Sequence, residues 1–415
     1  MSPRAPYDVV VVGLGLAGLV AGLAAASRGA TVLVTGKGYG TLRFRTGTVD
    51  VLGYREGRLV TSPAAEVREL ADAHPDHPYA LAQSELADGL AAVRAAAAAS
   101  GLVLQGEVSA NVLIATASGT LRPTCLVPPS MNADWEGARV LVVGLDGYRD
   151  FQAELVAAVL PAAASQHGLE LVTRALTVDL PGLHRRHLGG LDLARQFQEP
   201  GFRRALAAAI QPALSDATVV ALPAVVGLEG HADAASELGQ LLGTRVVELP
   251  TLPPSVPGMR LELALTAALR ESGGRLQVGN AAHITASHVE LDAAGHPLRI
   301  PAPCVVLASG GFASGGLEIA RDGSVHEKVA DLPVSVPTGG PLFGRSFFEP
   351  GGHPAGLAGV VVDARMQVVD AAGTALRPGL FCAGGVLAGA LRTVEKSADG
   401  ICCATGWRAG LEAAA

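Results

Sequence analysis

Aromatic side chains are scarce in this 415-residue chain: two Trp, five Tyr and nine Phe make up 4% of it. The apolar share is nonetheless 49%, inflated by alanine, and glycine adds a further 52 residues outside it. Charge is also thin, at 17%, and the balance is −7. Basic residues cluster only at Arg43/Arg45 and at His184-Arg185-Arg186-His187. Without a basic face, nucleic acid is excluded as a partner. The five cysteines, Cys125, Cys304, Cys382, Cys402 and Cys403, form no C-x-x-C pair, which excludes an iron–sulfur cluster and a structural zinc site. Their odd, scattered count fits buried, reduced thiols in a cytoplasmic protein. His184 and His187 have i, i+3 spacing, but no carboxylate or cysteine accompanies them, so no metal is expected. Val9 to Ser27 carries no charge. Its glycine spacing, described next, explains that run better than a membrane span or a signal peptide, and no other apolar run reaches spanning length.

What is present is concentrated at Tyr7 to Thr35. Val9-Val10-Val11-Val12 reads as a buried parallel strand. Gly13, Gly15 and Gly18 follow in G-x-G-x-x-G spacing, Leu19 to Ser27 reads as a helix, and Thr31 to Val34 as a second strand. This is a β-α-β unit with the dinucleotide fingerprint in its first turn. Gly13 allows the turn, Gly15 lets backbone approach a pyrophosphate, and Gly18 lets helix pack on strand. Leu16, Ala17 and Gly18 open the helix, whose free N–H groups meet phosphate. One part is missing. The fingerprint expects a carboxylate about 20 residues on, for a ribose hydroxyl; here Thr35-Gly36-Lys37 ends the strand. Thr35 could bond a hydroxyl and Lys37 a phosphate.

The segment Thr41 to Asp50 then runs past the carboxyl end of that strand, where open α/β sheets bind ligands. Thr46, Gly47 and Thr48 are expected to fold over a cofactor. Alanine-rich helix follows from Ala64 to Ser100, broken at Pro75 and Pro78, then short strands at Val112 to Ala115 and near Leu121. Prolines 123, 128 and 129 mark a boundary near Asn132. A second α/β alternation begins at Arg139 to Val143 and turns at Gly144-Leu145-Asp146-Gly147, which lacks the full fingerprint. Leu193 to Ile210 reads as one helix. The proline-dense run from Leu249 to Gly258 crosses back, and a helix starts at Met259. Strands around Leu276, Ile284 and His288 read as a β-meander. Two further strands end in glycines, at Ser309-Gly310-Gly311 and at Gly384-Gly385, and both exits are expected to approach a ligand. A helix of small residues from Asp399 to Ala414 could present its N-terminus to a phosphate or a flavin carbonyl. The fold class is therefore α/β. A Rossmann-like FAD/NAD(P)-binding domain spans 1–132 and 251–415, and an inserted Rossmann-like cap or partner domain spans 133–250.

Three strand-exit glycine sites, a meander and an inserted domain resemble the flavoprotein oxidoreductases related to the fumarate reductase flavoprotein. Within that group the chain is similar to the B subunit of anaerobic glycerol-3-phosphate dehydrogenase. The resemblance rests on the fingerprint and on LRFRTGTVDVL (42–52), VVGLDGYRDFQ (142–152), LPTLPPSVPGMRL (249–261) and VLASGGFASGGL (306–317). Gly379 to Gly410 fits more loosely. The resemblance implies a flavin, described in the family as FMN. It also implies oxidation of sn-glycerol 3-phosphate to dihydroxyacetone phosphate with electrons passed to quinone. The implied partners are an A subunit, which completes a cytoplasmic catalytic dimer, and an iron–sulfur C subunit, which holds that dimer at the membrane. The missing acidic residue suits FMN; the complete fingerprint suits FAD, and both stay open. The substrate phosphate needs an arginine or lysine. Arg260, with Ser255 nearby, is the first candidate, and Arg43 and Arg45 are alternatives. Asp50 and His353 are the candidate bases, neither singled out by a constellation. The chain is then either a dehydrogenase in its own right, a flavin-bearing relay for the A subunit, or a stand-alone flavoprotein reductase acting on another small acid.

Overall fold

The computed structural model describes residues 7–180, 188–285, 288–293, 295–370 and 372–415; His184 and His187 lie outside them. The four valines Val9–Val12 form the middle strand of a five-stranded sheet ordered Arg275–Val278, Val32–Gly36, Val9–Val12, Cys304–Leu307, Leu380–Cys382. Every pairing in it is parallel. The central strand is fully covered on both faces, as its unbroken β-branched run requires. The first helix is Leu16–Ser27, starting three residues earlier than the hydrophobic run suggests, because extended Gly15 is its N-cap.

The Ala398–Ala413 helix packs along Leu16–Ser27, and glycine makes that approach possible. A Cβ on Gly406 would stand 2.6 Å from the Ala17 carbonyl oxygen, and one on Gly410 only 2.2 Å from that of Ala21. The alanine and glycine content noted in the sequence is thus spent on backbone proximity, which brings the start of the last helix beside the fingerprint turn.

A second sheet is also parallel throughout, in the order Arg245–Leu249, Val219–Pro223, Ala138–Leu145, Leu171–Val178. It has its own core, including Trp135, Leu160, Phe197 and Leu238. The Val256–Glu271 helix joins the two: Val256 belongs to this core, while Leu261, Leu265 and Leu269 belong to the core of the five-stranded sheet. Two elements differ from expectation. The helical region after residue 190 is two helices, Gly190–Gln198 and Pro200–Leu214, because Pro200 cannot donate into a continuing helix and starts a new one. The strand at Leu276 leaves the meander and pairs with Val34 at the edge of the main sheet; the meander itself is Asn280–Ile284, His288–Ala293 and His296–Pro301.

Candidate functional site

The three glycine-rich strand exits converge. Gly13 has φ +137°, and a Cβ there would lie 2.1 Å from the Ala308 carbonyl oxygen, just before Ser309. A Cβ on Gly18 would meet the Gly13 carbonyl oxygen at 1.8 Å, so helix and turn touch through bare backbone. Gly311 approaches Gly385 closely, and a Cβ on Gly384 would meet Ala17 at 2.5 Å. Gly15 alone faces open space, with nothing within 4 Å of a Cβ placed on it. The first intrahelical bond runs from Leu19 N–H to Gly15 O at 3.0 Å, so the Leu16 and Gly18 N–H groups have no partner within the helix. The Ala17 N–H points to the Cys402 sulfur. Ser309 Oγ is buried without a hydrogen-bond partner. Open space at Gly15, unsatisfied helix-start donors and an orphaned hydroxyl fit a phosphate-bearing cofactor such as a flavin.

The end of the second strand is less open. Thr35 is fully buried and its hydroxyl donates its proton to the Gln277 carbonyl at 2.8 Å, so it has no proton left for a ribose and is closed off from one by burial. The Gly36 carbonyl accepts from Gly279 N–H, and Lys37 is exposed. Gly40, with φ +61°, folds the 36–40 loop back until a Cβ on it would lie 2.6 Å from Gly15 Cα.

Beyond this turn, residues 41–50 form a polar wall. The segment is clamped from behind by the proline-dense crossing: Ser255 N–H donates to Arg43 O at 2.7 Å, and Gly47 (φ +74°) packs on Pro257. Thr46 and Thr48 hydroxyls share a 2.7 Å bond, and Thr48 reaches Asp50 Oδ1 at 3.3 Å. Arg122 binds both ends of this wall, donating to Thr46 at 3.1 Å and to Asp50 Oδ2. Arg45 pairs with Asp399, whose other oxygen accepts from Asp50 N–H at 3.1 Å. Burial raises the Asp399 carboxyl above the ordinary carboxylate range, against the pull of Arg45. Close by, burial pushes Glu395 up, but the hydrogen bonds from His77, Ser397 and the Leu391 amide outweigh it and leave it below its usual value.

Arg260 sits elsewhere. Its guanidinium is 2% exposed and forms two 2.8 Å bonds with Glu248, whose side chain is fully buried, and a third at 2.9 Å with Gly227 O. At that burial the guanidinium does not open onto a cleft. Ser255 is the N-cap of the Val256–Glu271 helix, accepting from Gly258 N–H at 3.1 Å. Arg43 is paired with Glu262 at 2.6 Å and stacks over Tyr39. His353 accepts from Gly344 N–H and bonds Phe347 O, closing its own loop. Asp50, the other candidate base, has one oxygen held by Thr48 and the other by Arg122. The residues of this wall that sequence reasoning misses are Arg122 and Asp399. Sequence pattern marks Asp399 only as the start of a helix, and a lone Arg in a short strand gives no signal.

Among the described residues, no cluster of three His, Cys, Asp or Glu could hold a metal, and no helix is long and apolar enough to cross a membrane. Burial pushes the Cys125 thiol up to about 12.

Residues 8–399 match the family model described as FAD binding domain, so the chain belongs to that class of flavoproteins. It is 35% identical over 98% of its length, and 97% of the relative's, to a probable anaerobic glycerol-3-phosphate dehydrogenase B subunit of Halobacterium salinarum. It is 33% identical to the anaerobic glycerol-3-phosphate dehydrogenase B subunit of Yersinia enterocolitica, over 92% of both chains. More narrowly, then, the chain is a member of the family of anaerobic glycerol-3-phosphate dehydrogenase B subunits. Among solved structures, the 3-ketosteroid-delta4-(5alpha)-dehydrogenase of Rhodococcus jostii aligns over 99% of this chain and 97% of its own, with 12% identity and a TM-score of 0.35.

Proposed function

We propose that this chain is the flavin-binding B subunit of a complex that oxidises sn-glycerol 3-phosphate to dihydroxyacetone phosphate and passes the electrons to quinone. The single observation that carries the reading is the convergence of the Gly13–Gly18 turn with the Ser309–Gly311 and Gly384–Gly385 exits. Leu16, Gly18 and the backbone at Gly15 hold the cofactor's phosphate, while Ser309 and the residues 46–48 line its path along the sheet edge. A bound flavin supplies the two-electron acceptor that removal of hydride from a secondary alcohol requires. FAD is the favoured form, because the pyrophosphate turn is complete and the family is one of FAD binding. FMN is the second reading, favoured by the missing carboxylate and by Thr35, whose hydroxyl is spent on Gln277.

The one acid carried by the wall at residues 46–50, Asp50, is held by Thr48 and Arg122 and is not a free base. The chain therefore acts together with an A subunit, while an iron–sulfur C subunit carries electrons to the membrane. The test is bleaching of the bound flavin by glycerol 3-phosphate under anaerobic conditions, with the chain alone and after adding the A subunit. Bleaching only in the presence of that partner is expected. Bleaching by the chain alone sinks the shared-site reading, and no bleaching in either arm sinks the assignment of substrate.

A further inference from the structure

Behind the 46–50 wall, between the Tyr54–Leu59 hairpin, the Leu121–Thr124 strand and the end of the Ala153–Ser165 helix, lies a cavity of about 610 Å³ that shares Arg122 with that wall. Its size falls in the ordinary range for small-ligand pockets. One side is built by Tyr54, Arg122 and Lys396; the other is the end of the Ala153–Ser165 helix, with Gln166 and His167. Among the described residues, no carboxylate lines it.

The charges on its walls are unbalanced. Lys396 has no carboxylate within 4 Å among the described residues, yet it is half-buried. Burial, then the neighbouring Arg122, lower its ammonium below the ordinary lysine value, with Asp50 opposing. Arg122 spends one terminal nitrogen on Asp50 and the other on Thr46, and its Nε–H is buried with no acceptor. Arg122 and Lys396 both face Asp50, and the Asp399 carboxylate that Arg122 also reaches is already paired with Arg45, so three cations face two carboxylates beside a chamber that also offers the Tyr54 and Thr120 hydroxyls and the Gln166 amide. Gathering like charge at a half-buried site costs free energy unless an anion completes it.

We infer that this chamber is an anion subsite that takes the phosphate group of a small phosphate monoester, with Lys396 and Arg122 as its two cationic contacts. The inference rests on the glycerol 3-phosphate reading for its choice of ligand, but not for the presence of an anion site. The location supports the choice. Arg122 is at once a wall of the chamber and a clamp on Thr46 and Asp50, so a phosphate held there leaves the rest of a three-carbon chain directed at the segment expected to border the cofactor. Arg122 contributes a planar fork and Lys396 a compact charge, the pairing that phosphate recognition uses. The flavin phosphate is a separate matter, because its cradle is the Gly13–Gly18 turn.

The experiment is isothermal titration of the purified, flavin-loaded chain with inorganic phosphate, with glycerol 3-phosphate and with glycerol. Phosphate and glycerol 3-phosphate are expected to bind and compete, and glycerol is expected not to bind. Lys396→Gln is expected to weaken both anions at least tenfold, and Lys396→Arg to restore most of the loss. Arg122→Gln is expected to do the same, but it also frees Asp50, so Lys396→Gln is the deciding variant. Undiminished binding in Lys396→Gln, or no anion binding to the wild-type chain, overturns the subsite. The two readings fail differently. If the assembled complex oxidises glycerol 3-phosphate with an unchanged KM in Lys396→Gln, the subsite is wrong and the function stands. If inorganic phosphate binds in a Lys396-dependent way but the complex leaves glycerol 3-phosphate untouched, the substrate assignment is wrong and the subsite stands.

Discussion

Replacing Arg260 with leucine separates a structural role from a substrate-binding one. In the native protein the Arg260 guanidinium and the Glu248 carboxylate are 2% and 0% exposed and meet through two bonds of 2.8 Å. Leucine removes the cation and leaves a buried carboxylate with only Ser130 Oγ at 2.8 Å and Val226 N–H at 2.9 Å. Breaking one side of such a pair costs about 3–5 kcal/mol. Gly227 O also loses its donor, which adds on the order of 1 kcal/mol. The pH dependence has a definite sign. Burial pushes Glu248 up, and Arg260 is the main reason it lies below its ordinary value instead. Without Arg260 its folded pKa rises above the unfolded value, so the variant's deficit is smallest below that unfolded value and grows as pH rises through the folded one. Converting Glu248 to glutamine as well removes the stranded charge and recovers at least about 1 kcal/mol. Urea unfolding followed by tryptophan fluorescence reads this directly. Trp135 reports the inserted core, and Trp407→Phe silences the only other indole. A loss below about 1 kcal/mol, together with weakened binding of glycerol 3-phosphate, refutes the structural role and returns Arg260 to the substrate.

Two further outcomes are expected. Gly15→Val adds a side chain where the protein has open space, so the variant melts like the flavin-stripped wild type yet loses its flavin on gel filtration; retention of a full complement contradicts the phosphate cradle. His231 is held down to about 4 by burial and by Arg260, so folding it neutral costs stability as pH falls from its ordinary value toward about 4. The loss is on the order of 3 kcal/mol, and His231→Leu flattens the unfolding midpoint across that window if the assignment holds.

The parts of the fold visible in the sequence are those that local pattern determines. Four consecutive valines need a strand covered on both faces, and glycines at 13, 15 and 18 need a turn beneath a helix. Pairings across the chain are invisible there. Arg122 meets Asp50 across 72 positions, and Arg45 meets Asp399 across 354. Nothing near any of these four residues announces a partner. Arg260 misleads for a related reason. The proline-dense run reads as a crossing back with Arg260 offered to the substrate, but here Ser255 caps the helix and Gly258 lets it press on the Leu42 carbonyl, turning Arg260 inward to Glu248. The strand at Leu276 is ambiguous because its short apolar pattern suits a meander and a parallel edge equally, and only Val34 beside it decides.

The central claim is that the converging glycine turns hold a flavin, and mass spectrometry of the small molecule released by denaturing the purified chain tests it most directly. The account predicts one flavin per chain, as FAD, absent from the Gly15→Val variant. FMN in its place shifts the cradle from a pyrophosphate to a single phosphate and leaves the flavin claim intact. A chain that releases no flavin, whether purified alone or within its complex, contradicts the account.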